Sequence, residues 1–309
     1  MAKFLLKRFL QLIPTLIILS FVIFYMVRLV PGDPVRIMLG TDVEVTTLEY
    51  ERERLGLNDP IIVQYGRFVV NFLHGDLGVS IFTKRPVFGE LMTKFKSTVV
   101  LALASTCIST IVGICFGITA ALNRGKWIDS TIAVLSLVAV STPSFFLAFL
   151  LMLLFAMKLH WVPVIAGIGG LTFKSAILPT CALGMQAVGF MSRTTRTAML
   201  DVISQDYIRT SKSRGIPAQI VTFSHALRNA LIPIITAVGL RFGGLLAGAT
   251  VTETVFSING VGKYLVDGVN NRDFPVVQGT VLFLALVFVV VNTITDIVYA
   301  FADPRIKVE

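Results

Sequence analysis

The segment from Tyr207 to Pro233 places five basic side chains, His225 among them, between two strongly apolar runs. Gly215 and Pro217 predict a helix break there, because glycine accepts unusual φ values and proline suits the first turn of a new helix. After the break, apolar side chains recur at steps of four, three, four and four residues, which places them on one narrow stripe of a helix. They are Ile216, Ile220, Phe223, Leu227 and Leu231. Such a segment suits binding rather than catalysis.

Two binding interpretations of this basic segment remain open. Its lysines and arginines suit an interfacial helix that lies on anionic lipid. Its apolar stripe suits a helix that docks onto another protein, because polar side chains flank the stripe. These flanking residues are Gln219, Thr222, Arg228 and Asn229. The residues alone favour neither interpretation.

No other motif in the chain supports catalysis or a cofactor. The stretch SINGVGKYL, residues 257–265, has Ser257 and Tyr264 where a phosphate-binding loop requires Gly and Ser or Thr. The histidines and cysteines are scattered, without a CxxC pair or another metal-ligand spacing. They are His74, His160 and His225, and Cys107, Cys115 and Cys181. We therefore expect a protein that is not an enzyme and holds neither a metal nor a cofactor.

Composition indicates that the remainder of the chain lies in a membrane. Of its 309 residues 55% are hydrophobic and only 15% are charged, against roughly 25% charged residues in soluble domains. The net charge of +9 does not predict nucleic-acid binding, because no aromatic-interleaved basic patch occurs and membrane proteins gather Lys and Arg in cytoplasmic loops. The first apolar run, 9–30, is too long for a signal peptide, and we expect it to be retained as a span.

The pattern predicts an all-α, polytopic membrane protein with six transmembrane helices. The expected spans are about 9–30, 97–122, 131–157, 176–198, 232–256 and 276–301. Each is long enough to cross about 30 Å of hydrocarbon. Pro143 lies within the third span and predicts a kink there. The predicted domains are 1–30 with the first span, an insert 31–96, a transmembrane core 97–301 and a tail 302–309.

The distribution of basic residues predicts that both termini are cytoplasmic. With that orientation thirteen lysines and arginines lie on the cytoplasmic side, counting Arg193 and Arg196 at the inner end of the fourth span, and four lie in the two short outer loops, as expected for short loops. The insert is then extracytoplasmic. Its eight basic and nine acidic residues do not change the prediction, since segments of that length are translocated largely regardless of charge.

The insert itself is predicted to be a small helical domain. Thr46 and Glu49 have the spacing of a capping box, and Gly56 is suited to end a helix. Further apolar residues follow at helical spacing, and we expect their stripe to pack on the spans rather than to bind a ligand. They are Ile61, Tyr65, Phe68, Val69 and Phe72.

Polar and small residues in the fifth span are candidates for a pathway or gate. Arg241 lies about nine residues inside this span, and intramembrane charge indicates function by default. Glu253 is either a second such residue or a group at the outer surface. Gly239 and Gly243, like Gly244 and Gly248, have the spacing that permits close helix contact. We therefore select Arg241, Gly244, Gly248 and Glu253 as pathway candidates, with helix packing as the alternative for the glycines.

The chain resembles a permease subunit of the peptide/nickel class of ABC importers, the group that includes dipeptide, oligopeptide and glutathione systems. The matching stretches are LVPGDP (29–34), LGLNDP (55–60), HGDLGVS (74–80), DYIRTSKSRG (206–215), HALRNALIP (225–233) and FADPRI (301–306). They occur in order over nearly the whole chain. The resemblance implies an inner-membrane protein that works with a second related permease, two ATP-binding subunits and an extracytoplasmic solute-binding protein.

The resemblance also assigns a role to the basic segment. It implies a coupling region, 199–231, whose coupling helix at about Ser211–Phe223 seats in a groove of the ATP-binding subunit. Importer permeases generally carry Glu-Ala-Ala before the glycine, but this chain has Arg209, Thr210 and Ser211 at those places, so a carboxylate contact is in doubt. The expected contacts are Arg209, Ser211, Ser213, Arg214, Gly215, Ile216, Pro217, Ile220 and Phe223.

The resemblance implies short peptides as the transported class, including dipeptides or glutathione, with nickel or another small solute as the alternative. A self-contained channel or secondary transporter is a second hypothesis, and it would need no ATP-binding partner. A membrane enzyme is disfavoured because no cluster of nucleophile, base or metal ligands can be identified.

Overall fold

The computed structural model describes residues 2–29, 34–40, 43–54, 56–165 and 170–302. Most of the described residues are helical, and among the described residues the only strand-like pairing is one antiparallel bridge between Val79 and Pro86. The insert and the first span contain α1 (Ala2–Leu29), α2 (Pro34–Leu39), α3 (Val45–Arg54) and α4 (Ile61–Leu73). The following helices are α5 (Val87–Leu122), α6 (Trp127–Ser141), α7 (Ser144–Leu151, continued by a π-helical turn Met152–Lys158) and α8 (Phe173–Ile203). The last helices are α9 (Asp206–Ser213), α10 (Ala218–Ile220, then a π-helical turn Val221–Leu227), α11 (Arg228–Gly248), α12 (Thr250–Val255), α13 (Val261–Asn270) and α14 (Phe274–Ala302).

Four helices in the described part of the chain are long and apolar enough to cross a membrane. They are Val87–Leu122, Phe173–Ile203, Ala218–Leu246 and Phe274–Val298. Helices α6 and α7 make a fifth span if the bent pair counts as one, and α1 contains a shorter apolar stretch, Ile13–Met26. The all-α polytopic fold is thus confirmed, whereas the number of six spans stays a prediction.

The predicted kink at Pro143 is confirmed. Helices α6 and α7 bend by 99° across the break at Thr142 and Pro143. The ring of Pro143 removes a backbone donor and disfavours helical geometry at Thr142, which has an extended backbone (ψ 121°). The third apolar run is therefore a broken span rather than a straight one.

The chain divides into two structural units, and the first comprises Met1–Thr98 with Asn259–Val289. In this unit α4 packs on α1, as the apolar stripe predicted. The Tyr65 hydroxyl lies 2.8 Å from the Ser20 hydroxyl, and the Phe24 ring contacts the rings of Tyr65 and Phe68 at 5.4 and 5.5 Å. Arg28 donates to Gln64 at 2.6 Å, so it binds the insert rather than extending freely from the span.

The first unit also joins residues far apart in sequence. Ser80 donates to the buried carboxylate of Asp273 at 2.5 Å, and Lys94 donates to Asn259 at 2.6 Å. An apolar cluster surrounds these bonds, and its members are Leu77, Val87, Leu91, Val261, Tyr264, Val276, Phe283 and Leu284. The insert is therefore held by the stretch around α13, a pairing that nothing in the sequence pattern indicated.

The second unit comprises Val99–Ile258 with Val290–Glu309 and has α8 at its centre. In the most apolar window of α8, 61% of residues are buried, against 28–33% in the other three unbroken spans. Helices α6, α7 and α11 pack on α8. Gly189 permits the approach of α6, because a Cβ added there would lie 2.5 Å from the Ser136 carbonyl oxygen. Small residues thus allow the helices to pack closely, which matters because no hydrophobic driving force favours helix association within lipid.

Several boundaries differ from the sequence prediction. Helix α3 begins at Val45, so Thr46 lies in its first turn and cannot be the N-cap of a capping box. Gly56 ends this helix as predicted, with φ +63°. Helix α5 begins at Val87, about ten residues before the expected span, because Glu90 and Lys94 lie outside the apolar window but still adopt helical geometry. The tail 303–309 lies outside the described residues.

Candidate functional site

The predicted break in the coupling region is a Schellman motif at the end of α9. The Ile216 N–H donates to the Ser211 carbonyl at 3.3 Å, and the Gly215 N–H donates to the Lys212 carbonyl at 3.0 Å. Gly215 has φ +74°, a left-handed value that glycine adopts without steric cost. Pro217 then precedes α10 with an extended backbone. Local sequence chemistry therefore fixes the turn between α9 and α10.

After Pro217 the helix continues without interruption into the membrane span. Residues Ala218–Leu246 form one helix long enough to be a span, and it contains the π-helical turn Val221–Leu227. A π turn inserts one residue into the helical repeat. The fully buried positions accordingly follow steps of five, four and four residues. These positions are Val221, Ala226, Ala230 and Ile234.

The π turn corrects the predicted stripe of this helix. The buried face contains Val221 and Ala226 rather than a continuous row through Ile220 and Phe223. Ile220 is 48% exposed and Phe223 is 58% exposed. Ile216 and Leu227 pack against the edge of the core cluster. Two of the five predicted stripe residues therefore form an exposed apolar surface, which we call the coupling patch (Ile220 and Phe223).

A hydrophobic cluster holds the coupling region against the spans. It comprises Ile118, Ala121, Ala198, Met199, Ile208, Val221, Ala226 and Ala230. Ile208, fully buried, anchors α9, and the Tyr207 hydroxyl accepts a bond from the Asn229 amide at 2.9 Å. Helix α9 is separate from α8, since the backbone turns at Ser204 and Gln205. The coupling patch therefore stands on a packed base.

The remaining predicted contact residues are distributed around this base. Arg209 and Arg214 are exposed, and Arg209 forms only a loose ion pair with Asp206 at 3.8 Å. The hydroxyls of Ser211 and Ser213 donate to the carbonyls of Tyr207 and Thr210 at 2.8 and 2.9 Å. The arginines are thus available at the surface, while the serines bond within α9.

An ion pair beside the coupling region was not predicted. Arg196 of α8 donates from Nε and Nη2 to the two oxygens of Asp129 at 2.6 and 2.7 Å. The Asp129 carboxylate also accepts from the Gly125 backbone at 3.1 Å, and its side chain is 8% exposed. This bidentate pair ties the turn between α5 and α6 to α8. The two residues are 67 positions apart, which no spacing argument can detect.

Of the pathway candidates, Arg241 has the most informative surroundings. Its Nη2 donates to the Gln186 side-chain oxygen on α8 at 3.1 Å. Its Nε is buried and has no hydrogen-bond partner among the described residues. The sequence analysis did not select Gln186. Its place as a polar residue inside the expected fourth span could have marked it as a candidate pathway residue.

The other three pathway candidates differ from one another. Gly244 is exposed, and a Cβ added there would meet nothing within 4 Å. Glu253 is completely buried in α12, and its position relative to the outer membrane surface stays a prediction. Gly248 ends α11. Gly239, by contrast, packs against the Thr295 side chain, as the packing alternative predicts.

Among the residues that the structure describes, no group of histidine, cysteine, aspartate and glutamate could hold a metal ion. An open cleft of roughly 400 Å³ lies along α8 and α11. It is lined by Phe190, Arg193, Thr194, Thr197, Ala198, Asp201 and Pro233.

The structure thus combines apolar spans, a centrally packed α8 and an amphipathic segment that leads into the span Ala218–Leu246. Residues 113–308 match the family described as binding-protein-dependent transport system inner membrane component. Residues 1–102 match the N-terminal family of such membrane components. The chain belongs to the family of binding-protein-dependent transport system inner membrane components, and it is a multi-pass inner-membrane permease subunit.

Several full-length relatives share one name. Glutathione transport system permease proteins GsiC of Pectobacterium atrosepticum, Salmonella paratyphi A and Escherichia coli K12 are 40%, 39% and 38% identical to this chain over 307 residues. Each alignment covers 99% of this chain and 99% of the relative. The resemblance to the peptide/nickel class is thereby confirmed.

Two solved structures share the fold. An inward-facing MetNI methionine ABC transporter chain superposes with a TM-score of 0.55 at 15% identity, covering 69% of this chain and 96% of that chain. A chain of an amino acid ABC transporter with histidines gives 0.52 at 14% identity, covering 71% and 94%. At this identity the likeness concerns the fold alone, which is that of an ABC transporter permease.

Proposed function

We propose that the chain forms half of the translocation pathway of an ATP-driven importer of peptide-type solutes, delivered by a solute-binding protein. The names of the full-length relatives favour glutathione, and short peptides belong to the same proposal. Nickel is the alternative, in keeping with the class. The chain itself hydrolyses no ATP, and that reaction belongs to two separate ATP-binding subunits. One related permease completes the pathway, and both termini are cytoplasmic.

The observation that carries the proposal is the coupling patch. Ile220 and Phe223 are about half exposed, although each would gain roughly 1 kcal/mol from burial of that remaining area. They stand on a helix that runs unbroken into the fifth span. A subunit that binds the patch therefore moves α11 directly. A groove on the ATP-binding subunit would bury both side chains and convert its closure into movement of the spans.

The base beneath the patch supports this mechanical role. A helix transmits force only if its attachment is stiff, and close-packed side chains have little room to yield. Three features hold the base: the Schellman turn at Gly215, the cluster around Met199 and Ile208, and the ion pair between Asp129 and Arg196. Alternating access then follows from movement of the spans about the substrate pathway.

The proposed contact to the ATP-binding subunit is tested with Phe223→Asp. The complex is reconstituted with its partner permease, both ATP-binding subunits and the binding protein. We expect Phe223→Asp to weaken co-purification of the ATP-binding subunits and to lower ATP-driven uptake at least tenfold, since a carboxylate would be buried without a partner. The matched control is Ser224→Asp, which adds the same charge at the neighbouring exposed position and leaves the apolar patch intact.

The control separates docking from general charge effects. Equal losses in Phe223→Asp and Ser224→Asp would contradict a role of the patch. Loss of binding to anionic vesicles, with the ATP-binding subunits still attached, would instead favour the lipid-surface interpretation. Uptake by this chain alone, without an ATP-binding partner, would support a self-contained transporter.

The proposed orientation has its own test. Asp59 is partly exposed in the insert and pairs with Arg67, and Asp59→Cys introduces a thiol there. A membrane-impermeant maleimide should label this residue from outside intact cells, in a chain whose three cysteines are replaced by alanine. Labelling only after lysis would reverse the orientation.

A further inference from the structure

Helices α8 and α11 of the second unit run antiparallel and share a face. Three levels define the pairing: Ala198 and Ala230 belong to one cluster, Met191 and Ile234 to another, and Gln186 bonds to Arg241. The sequence numbers rise along one helix as they fall along the other. Arg241 therefore lies at the level of Gln186, and Pro233 lies near Thr194 in the open cleft.

The exposed side of this pair carries polar residues beside apolar ones such as Phe190 and Leu240, although both helices are membrane spans. Arg193 and Thr197 of α8 are exposed, and they follow Gln186 by two and three turns on the same side of the helix. Gly244 on α11 is open as well. Charged side chains facing lipid are costly, and they usually face a water-filled cavity. This side of α8 and α11, which we call the polar face (Gln186, Arg193, Thr197, Arg241 and Gly244), therefore suits a solute pathway.

Arg241 carries a partly buried charge on the polar face that no described carboxylate compensates. No described carboxylate pairs with its guanidinium, and its only described side-chain bond is to the neutral Gln186. Its Nε lacks an acceptor altogether among the described residues. Guanidinium presents five N–H donors in a planar fork that matches a carboxylate. Gln186 accepts from one N–H donor of Arg241 and thereby orients the guanidinium plane. The other N–H donors of Arg241 remain available to bind an anion.

We propose that Arg241, oriented by Gln186, binds a carboxylate of the transported solute as it passes through the permease. The inference rests on the proposed import of peptide-type solutes, and it adds a recognition step within the membrane subunit itself. Every unmodified peptide ends in a carboxylate, whatever its side chains. A guanidinium that recognises this group accepts many sequences and still rejects solutes without a carboxylate.

The inference is tested by direct binding without the solute-binding protein, so that only the membrane complex can discriminate. The wild-type complex of permeases and ATP-binding subunits is titrated with radiolabelled reduced glutathione and with an amide of it in which both carboxylates, that of glycine and that of γ-glutamate, are replaced by carboxamides. We expect glutathione to bind about tenfold more tightly than the amide, because a charge-assisted hydrogen bond between a carboxylate and Arg241 strengthens binding by about that factor. Arg241→Gln should lower the affinity for glutathione about tenfold and leave the affinity for the amide unchanged.

Two further variants sharpen the test. Arg241→Lys keeps the charge without the fork and should retain an intermediate preference. Lys174→Gln removes a charge of the same sign from an exposed position in the first turn of α8, outside the polar face and about 18 Å from Gln186 along the helix axis, and should keep the preference for glutathione. Assembly of each variant is checked by its co-purification with the ATP-binding subunits.

Each outcome decides between explanations. An equal loss for glutathione and the amide would assign Arg241 a purely structural role and overturn the inference. The same loss in Lys174→Gln would indicate a diffuse electrostatic field rather than a specific contact with Arg241, which also overturns the inference. A wild-type complex that binds neither probe, yet imports glutathione with its binding protein, rejects the inference and leaves the proposed function intact. A complex that imports nickel but no peptide or glutathione would contradict both the inference and the proposed import of peptide-type solutes.

Discussion

The coupling patch and the polar face are opposite in character. The patch exposes Ile220 and Phe223 within a basic, polar segment, whereas the polar face places the exposed Arg193 and the partly buried Arg241 within apolar spans. Each surface has the wrong polarity for the solvent expected around it. An apolar patch in water indicates a protein partner, and a polar face in lipid indicates water or a solute. The difference teaches that function lies where local polarity conflicts with the surroundings.

The two surfaces are also held differently. The coupling patch depends on backbone geometry, through the left-handed Gly215 and the buried cluster beneath α9. The polar face depends on one side-chain bond between Gln186 and Arg241. Changes to the backbone should therefore damage the patch most, and changes to charge should damage the face most.

Gly215→Val should have the largest effect on the patch. A β-branched residue at φ +74° is strained by about 1–2 kcal/mol or more, so the turn between α9 and α10 would open and displace the patch. We expect uptake and binding-protein-stimulated ATP hydrolysis to fall more than tenfold. Gly215→Asn is the matched control, because asparagine tolerates left-handed geometry, and a Cβ at this position meets nothing within 4 Å. Equal activity of the two variants would contradict this account of the turn.

Asp129→Asn should have the next largest effect, on stability. The substitution leaves Arg196 without its bidentate acceptor in a mostly buried site, at a cost of roughly 2 kcal/mol. The expected result is earlier thermal unfolding of the purified complex and weaker coupling of ATP hydrolysis to uptake. Arg196→Lys, which keeps the charge and loses one of the two bonds, should lie between wild type and Asp129→Asn. Unaltered melting in both would show that the pair does not hold the base of the patch.

Gly244→Leu should have a moderate effect confined to the polar face. The open space around Gly244 admits a side chain without a clash, so folding and assembly should persist. A leucine would narrow the pathway and reduce its polarity, and we expect a several-fold loss of uptake. Gly189→Ala is the contrasting control, because its Cβ would meet the Ser136 carbonyl and should reduce the yield of folded protein instead. If the Gly244→Leu variant kept full uptake, Gly244 would not line the pathway.

The sequence predicts those parts of the molecule that depend on local chemistry. Gly215 and Pro217 indicate the break before α10, Pro143 indicates the bend between α6 and α7, and Gly56 indicates the end of α3. Each residue constrains its own backbone, so no tertiary information is needed. The identity of the coupling region, however, came from resemblance to a family.

The sequence does not predict features that arise from helix packing. The π turn at Val221–Leu227 shifts the buried face by one residue, and a constant helical period cannot reveal it. Asp129 and Arg196, like Ser80 and Asp273, are joined across long sequence separations. The partner of Arg241 could be identified only once α8 and α11 were seen to run antiparallel. The candidate site thus combines a turn that the sequence predicts with the exposure of Ile220 and Phe223, which it does not predict.

The central claim is that the coupling patch contacts the ATP-binding subunit, and photocrosslinking at position 223 tests it most directly. Phe223 is replaced by benzoylphenylalanine in the assembled importer, with the same replacement at Leu240, an exposed residue of α11, as a comparison. After illumination, we expect mass spectrometry to find position 223 joined to the ATP-binding subunit and position 240 not joined to it. Adducts of position 223 with lipid alone, while the ATP-binding subunits remain attached, would contradict the account.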